Sequence, residues 1–306
     1  MTLEQHIKNL TAPTKKIDVV LDTDAYNEVD DQFAISYMLC YRDKLNVKGF
    51  CAAPFFNQLS SSPADGMEKS YNELFNLIKL AGETDLLDRI YRGSTTYLPD
   101  EKTPVESEAA DFMATLANNY SPENPLYIVA IGAITNVASA ILKNPKMAEN
   151  TVIVWLGGHA THVLQERPEF NLRGDIAAAQ VVFDSGIDLV QIPCRGVCSE
   201  MSTTWHELEY YLRGRNEICD YLTDIVREAS QNSSEPYAKS RVIWDVSAGT
   251  VLLCPEAFEM EERPCPVIGD DGFYEQDDSR HSYLYVHRLY RDRFFADLFR
   301  SLTGEF

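Results

Sequence analysis

The chain has 306 residues, 27 of them Lys or Arg against 47 Asp or Glu, for a formal net charge of −20, and 45% are hydrophobic. A surface this acidic repels phosphate backbones and anionic lipid, which argues against a nucleic-acid polymer or a membrane as partner and leaves neutral small molecules and divalent cations. The apolar fraction supports a sizeable core, and open α/β sheets reach this length as one unit, so residues 1–306 are expected to form a single domain.

Along the chain, short apolar runs alternate with helical patterns. Ile17-Asp18-Val19-Val20-Leu21 is a β-branched run of the kind found in a buried strand. Residues 28–41 then carry Val29, Phe33, Tyr37, Met38 and Tyr41 at helical spacing. A second strand is expected over 46–52 and a helix over 65–81, stopped by Gly82. The order continues with a strand at 126–131, a helix at 135–142 closed before Pro145, and a strand at 151–156 ending in Gly157-Gly158. A helix at 175–184, stopped by Gly186, and a strand at 188–192 follow. Residues 204–228 are mostly helical in pattern, 245–253 a short helix, 283–286 a late strand and 289–302 a final helix. Repeated βα units predict an α/β fold with an open, mostly parallel sheet flanked by helices. The stretches 92–106 and 269–278 are irregular, and neither reads as a domain boundary.

The N-terminal Met1-Thr2-Leu3-Glu4-Gln5-His6 lacks a basic region followed by an apolar one, and no run approaches the ~18 apolar residues of a membrane span. The expected location is the cytoplasm. The seven cysteines, among them Cys254 in Val251-Leu252-Leu253-Cys254, are scattered and odd in number, as reduced buried thiols are. Cys194 and Cys198 have no matching Cys/His pair, which speaks against zinc.

Ligands of open α/β sheets collect beyond the carboxyl ends of the strands, so the informative residues are those that follow each strand. After the first comes Asp22-Thr23-Asp24-Ala25-Tyr26-Asn27-Glu28-Val29-Asp30-Asp31, a dense set of carboxylates. Packed together they repel, and their pKa values rise unless a cation neutralises them; Ca²⁺ and Mg²⁺ favour such oxygen donors. The plain alternative is helix capping within a solvated acidic loop.

This segment resembles the nucleoside hydrolase signature, in which Asp-Thr-Asp follows the first strand and Asp-Asp opens the first helix. Two more residues separate the pairs here than in the common Pro-Gly form, as in a divergent branch. The resemblance runs from about Ile17 to the C-terminal helix. It implies a calcium-dependent hydrolysis of the N-glycosidic bond of a ribonucleoside, with Asp24 and Asp31 as calcium ligands. Asp24 would also accept the proton of the attacking water, Asp30 would bind ribose hydroxyls, and Asp22 would support from behind.

Other stretches extend the likeness. Asn57, in Ala53-Pro54-Phe55-Phe56-Asn57, matches a ribose-contacting asparagine. Ile131-Gly132-Ala133-Ile134-Thr135-Asn136 resembles a Gly-Pro-Leu-Thr-Asn turn, which assigns the Thr135 carbonyl to calcium, although on its own Thr135 reads as a helix cap. Glu169-Phe170-Asn171 matches a sugar-binding segment, implicating Glu169 and Asn171, while Asp175 reads as the cap of the next helix. Asp245, in Ile243-Trp244-Asp245, matches a further metal ligand. Trp244 is the departure: relatives often place a histidine there to protonate the leaving base, and tryptophan can only stack or pack. His159 and His162 are substitutes if they reach the pocket, though both read first as surface-loop residues; His281 and His287 are weaker candidates. Relatives are commonly homodimers or homotetramers.

Two other readings compete. Asp22-Thr23-Asp24 also resembles the nucleophile pair of haloacid-dehalogenase-like phosphatases, but Asp30-Asp31 and Trp244-Asp245 have no counterpart there, and Ala179 stands where a further aspartate is expected. Alternatively the fold binds calcium and a ribosyl ligand without turning it over, having lost its proton donor.

Overall fold

The computed structural model describes residues 3–305, without the side chains of residues 3, 4, 6 and 7. Met1, Thr2 and most side chains of the N-terminal segment read above as leader-free thus lie outside the described residues. Among the described residues no helix is long and apolar enough to cross a membrane.

Six strands come first, five of them as predicted and the short β3 not foreseen: β1 (Ile17–Thr23), β2 (Leu45–Ala52), β3 (Ile90–Tyr91), β4 (Leu126–Ala130), β5 (Thr151–Leu156) and β6 (Asp188–Ile192). Then come β7 (Ser202–Thr204), β8 (Ser240–Val242), β9 (Phe258–Pro264), β10 (Val267–Ile268), β11 (Tyr274–Glu275) and β12 (Ser282–Leu289). The main sheet has eight strands in the order β3-β2-β1-β4-β5-β6-β12-β9, and the remaining strands form two small antiparallel pairs, β7 with β8 and β10 with β11. All neighbours in the main sheet are parallel except β12 and β9. This is the expected open, mostly parallel α/β sheet.

The strand runs read as apolar throughout because helices cover both faces. Every residue of β4, β5 and β6 is buried. Alternate side chains divide between two cores: Val19, Leu21, Val129, Val154 and Ile192 enter one, and Val20, Ile128, Ile153, Trp155 and Leu189 the other. The helices start and stop close to their predicted places. Helix Asp30–Cys40 follows β1, Thr135–Lys143 follows β4, Ile176–Asp184 precedes β6, and Arg291–Thr303 closes the chain. The antiparallel edge strand β9 was not foreseen. Its sequence, Phe258-Glu259-Met260-Glu261-Glu262-Arg263-Pro264, is mostly polar because only its first residue is buried.

From β1 the chain builds β2 and β3 on one side, then crosses back to lay β4 on the other. The loops after β1 and β4 therefore diverge at the sheet's topological switch point, where a crevice opens. Trp155 ties the core to this crevice. Its ring packs edge-on against Phe183 and its indole N–H donates to the Gly132 carbonyl at 3.1 Å. Truncating so large a side chain in a fully buried position costs about 3–5 kcal/mol. Trp155→Ala should lose that much in urea denaturation, and Trp155→Phe distinctly less; equal stability of both with the parent would refute this account.

Candidate active site

The carboxylates after β1 are neither solvated nor used as caps. Asp22, Asp24, Asp30, Asp31 and Asp245 are 0%, 1%, 3%, 1% and 5% exposed. Helix Asp30–Cys40 begins after Val29 with no side-chain cap, and Asp245 stands before helix Val246–Leu253 without bonding its amides. Asp175 shows the contrast. Its Oδ1 accepts from Ala178 N–H at 3.0 Å, and its Oδ2 takes the Leu98 N–H at 2.9 Å and the Thr135 hydroxyl at 2.7 Å. Asp175 is thus a cap and a brace, as expected. Thr135 is the first residue of its helix and spends its hydroxyl on Asp175 instead of capping.

Asp30, Asp31 and Asp245 bring one carboxylate oxygen each within 4.8 Å of one another. Asp24 lies beside them and packs against Gly132: a Cβ there would come within 2.8 Å of its carboxylate. This close approach accounts for glycine at 132. Asp22 is held from behind, its Oδ1 accepting from the Asn136 amide at 2.8 Å. Asn136 also donates to the Ala52 carbonyl and accepts from Ser94 N–H, so it ties the ends of β1 and β2 to the loop after β4. Thr23 donates to Asp31 at 2.5 Å.

Such crowding has an electrostatic consequence. Burial pushes Asp22 up to about 7 despite the Asn136 bond. Burial likewise carries Asp31 to about 7, against the lowering bonds from Thr23 and Asp245. Asp24 is raised well above the usual carboxylate range by burial, then by Asp31 and Asp30, and Asp245 by burial, then by Asp30 and Asp31. Oδ2 of Asp22 and Oδ2 of Asp24 are buried without a hydrogen-bond partner. Orphaned, mutually repelling carboxylate oxygens are the donor set of a hard divalent cation, so the cluster fits one. The expected ligands Asp24, Asp31 and Asp245 lie in one cluster, and the three that bring oxygens within 4.8 Å of one another are Asp30, Asp31 and Asp245.

A cavity of about 290 Å³ opens next to this cluster, lined by Asp30 and Asp245 together with Glu169, Asn171 and Trp244. Four of the five expected sugar- or base-side residues, Asp30, Glu169, Asn171 and Trp244, thus share one space with Asp245 of the cluster. Glu169 caps the short helix Phe170–Gly174, accepting from Asn171 and Leu172 N–H at 2.8 and 3.0 Å, and from Gly158 N–H at 2.9 Å. Gly158 has φ +80°, and a Cβ there would collide with the Tyr274 hydroxyl, so no other residue fits that corner. Asn171, which lines the cavity, donates to the Ile131 and Leu156 carbonyls at 3.0 and 3.1 Å, so both amide hydrogens are spent and its Oδ1 is left as the acceptor.

Asn57 departs from expectation. Its amide is committed to Asn27, and Asn27, not Asn57, lines the cavity. His159 also departs, being half-buried on the cavity wall instead of lying on the surface. Burial, then Arg195 and Arg167, pushes its imidazole down to about 4, so it is neutral at physiological pH. His162 is exposed and outside the cavity lining. Sequence reading missed Asn27, Cys194 and Arg195, all cavity residues. Cys194 and Arg195 follow β6 as the acids follow β1, so position after a strand was the signal.

Comparison with known proteins supplies the family, through a match that begins after the acidic cluster of residues 22–31. The family model described as "Inosine-uridine preferring nucleoside hydrolase" matches residues 56–291. A probable uridine nucleosidase 1 of Oryza sativa subsp. japonica is 32% identical over 162 residues, 52% of this chain and 49% of that protein. Uridine nucleosidase 1 of Arabidopsis thaliana is 34% identical over 103 residues, 33% of this chain and 30% of that one. The aligned part of the chain thus spans about half, or less, of the length of these curated relatives. In structure, the plant nucleoside hydrolase PpNRh1 superposes with a TM-score of 0.77 at 19% identity, over 95% of this chain and 100% of that one. The purine-preferring ribonucleoside hydrolase of Gardnerella vaginalis gives 0.76 at 20% identity, over 94% and 98%. At such identities the superpositions speak for the fold alone, and the family match carries the assignment: this chain belongs to the inosine-uridine preferring nucleoside hydrolases, a family of nucleoside N-ribohydrolases.

Proposed function

We propose that this protein hydrolyses the N-glycosidic bond of a ribonucleoside and that its activity depends on calcium held by Asp24, Asp31, Asp245 and the Thr135 carbonyl. The observation that carries the proposal is the buried set of five aspartates at the switch point, two with orphaned oxygens, next to a sugar-sized cavity. When bound, the cation would supply Lewis-acid polarisation of the attacking water and neutralise the cluster.

The chain's own groups account for the remaining steps. Asp24 has a buried oxygen with no partner and a raised affinity for protons, which suits it to take the proton of the attacking water. Asp30 and Asn171 line the cavity and carry acceptor oxygens suited to ribose hydroxyls. Glu169 accepts three backbone N–H groups, which fixes its carboxylate and leaves it acceptor capacity for one sugar hydroxyl. The carboxylates of Asp30 and Glu169 oppose the positive charge that grows on the sugar in an oxocarbenium-like transition state. Trp244 packs on the core with part of its ring on the cavity and offers a stacking face to base or sugar. Neither Trp244 nor the neutral His159 delivers a proton readily to the base. The competing reading, ribosyl binding without turnover, draws on that lack.

Two outcomes are expected. The purified protein with calcium should release free base and reducing sugar from one or more of a panel of purine and pyrimidine ribosides. Chelator should abolish this, and Asp24→Ala should lower it by about 10²-fold or more. Calcium-dependent ligand binding with no base release would establish the binding-only reading instead.

The second outcome concerns pH. With folded pKa values of about 7 against an ordinary 3.8, Asp22 and Asp31 bind protons that the unfolded chain has already released in the window between. In chelator, their contribution to stability is therefore present at low pH and lost as pH rises from about 4 through 7. A cation needs these carboxylates ionised and reverses the loss. Thermal melts should thus show a calcium-induced rise in Tm that is larger at pH 7.5 than at pH 5.5; a Tm indifferent to calcium at both would sink the metal assignment.

A further inference from the structure

The cavity has two chemical characters. Its buried part carries Asp30, Glu169 and Asp245, and its exposed part carries Arg167, Arg173 and Arg195 together with Glu28, whose carboxylate is paired with Arg241. The three arginines come from separate places: the loop after β5, the short helix Phe170–Gly174, and the segment just after β6. In a chain with 47 acids and 27 bases, arginines elsewhere readily meet carboxylates. Arg42 pairs with Glu83 and Asp85, Arg213 with Glu209, Asp220 and Asp224, Arg280 with Asp184, and Arg291 with Glu207. None of the three cavity arginines takes part in an ion pair among the described residues. Arg173 rests over the Phe170 ring at 5.6 Å instead. Their positive field is felt inside the cavity, where Arg195 and Arg167 join burial in holding the His159 imidazole unprotonated.

Three convergent, unpaired guanidinium groups match carboxylate or phosphate oxygens, which they bind through paired N–H donors. A neutral nucleoside offers them carbonyl and hydroxyl acceptors but no counter-charge. A protein of net charge −20 also repels anionic ligands at a distance, so admitting one requires a local reversal of charge, and the cavity mouth provides it. We propose that the substrate of this site is a ribosyl compound bearing an anionic group, a carboxylate on the base or a phosphate on the sugar, received by Arg167, Arg173 and Arg195. The ribosyl part of this inference rests on the N-ribohydrolase reading; the anionic part rests on the arginines.

The reaction balances without a further reagent. The water oxygen bonds to the anomeric carbon, and the C–N bond breaks with its electron pair on the base nitrogen. One water proton goes to Asp24, the other stays on the new hydroxyl, and the anionic group passes through unchanged.

Uridine, uridine 5′-phosphate and orotidine (uridine with a carboxylate on the base) separate the possibilities. Each is measured as a substrate and, by calorimetry in calcium, as a ligand. The proteins compared are the parent, Arg167→Ala, Arg173→Ala, Arg195→Ala and the triple variant. One of the two anions should be favoured over uridine by about tenfold or more in kcat/KM and in Kd, and the triple variant should erase most of that ratio. Preference for orotidine assigns the arginines to the base, and preference for the 5′-phosphate assigns them to the sugar. Uridine favoured over both anions, with a ratio indifferent to the arginines, overturns the inference and leaves the hydrolase reading intact. Arginine-dependent anion binding without hydrolysis of any of the three does the opposite. Binding of none of them overturns both.

Discussion

The repulsion among buried carboxylates at the end of β1 is the constraint around which this structure is arranged. Removing one ionised carboxylate from water is costly, and bringing five together without a counter-ion is more so. Burial and mutual repulsion accordingly raise the proton affinity of Asp22, Asp24, Asp30, Asp31 and Asp245. Proton and cation therefore compete for the same oxygens. A fold that maintains such a cluster sacrifices stability for a site, as strained or frustrated positions at functional centres commonly do. Tyr26, a non-glycine residue at φ +86° in the loop between Asp24 and Asp30, is a second sign of strain in the same place.

What holds the cluster is the topology of the sheet supported by a few polar braces. Two loops that diverge at the switch point leave room for a cation and a sugar. Asn136 then joins the ends of β1 and β2, and Asp175 joins the helix after β4 to the segment at Leu98. Both braces are buried and fully used, which fits positions whose work is to keep the loops in register. Glu169 acts on the far side in the same manner, binding three backbone amides from two segments. The acids and amides proposed to bind a substrate are thus fixed before it arrives, which lowers the cost of ordering them on binding.

Much of this was legible in the sequence, for reasons that can be traced. Buried parallel strands leave unbroken apolar runs, so β1, β4, β5 and β6 were read directly. The acidic segment stood out because so many charges directly after such a run have few structural explanations. What the sequence hid were relations between distant residues. Asn57 and Asn27 both look like turn residues, and only the fold decides that one amide is spent on the other. Arg167, Arg173 and Arg195 are unremarkable singly, and their convergence depends on loops after two different strands. The edge strand β9 escaped because an exposed edge strand needs no apolar pattern.

The arginines and the missing proton donor belong to one problem. Cleaving a glycosidic bond leaves an electron pair on the base, and an enzyme stabilises it with a proton or with positive charge. Trp244 stands at the position the family resemblance gives to a histidine, and His159, the imidazole on the cavity wall, is kept neutral by burial and then by Arg195 and Arg167 at the mouth. A cavity that suppresses its own acid while gathering cationic groups is poorly built for general-acid catalysis and better built for electrostatic stabilisation. For a base already carrying a carboxylate, guanidinium groups gain in attraction as negative charge accumulates on the leaving group, so binding strengthens toward the transition state. For a phosphorylated sugar, they contribute binding and orientation alone, and departure of the base would fall to the stacking face of Trp244 and to solvent. The two cases differ in where arginine removal registers: chiefly in kcat for the first, chiefly in KM for the second.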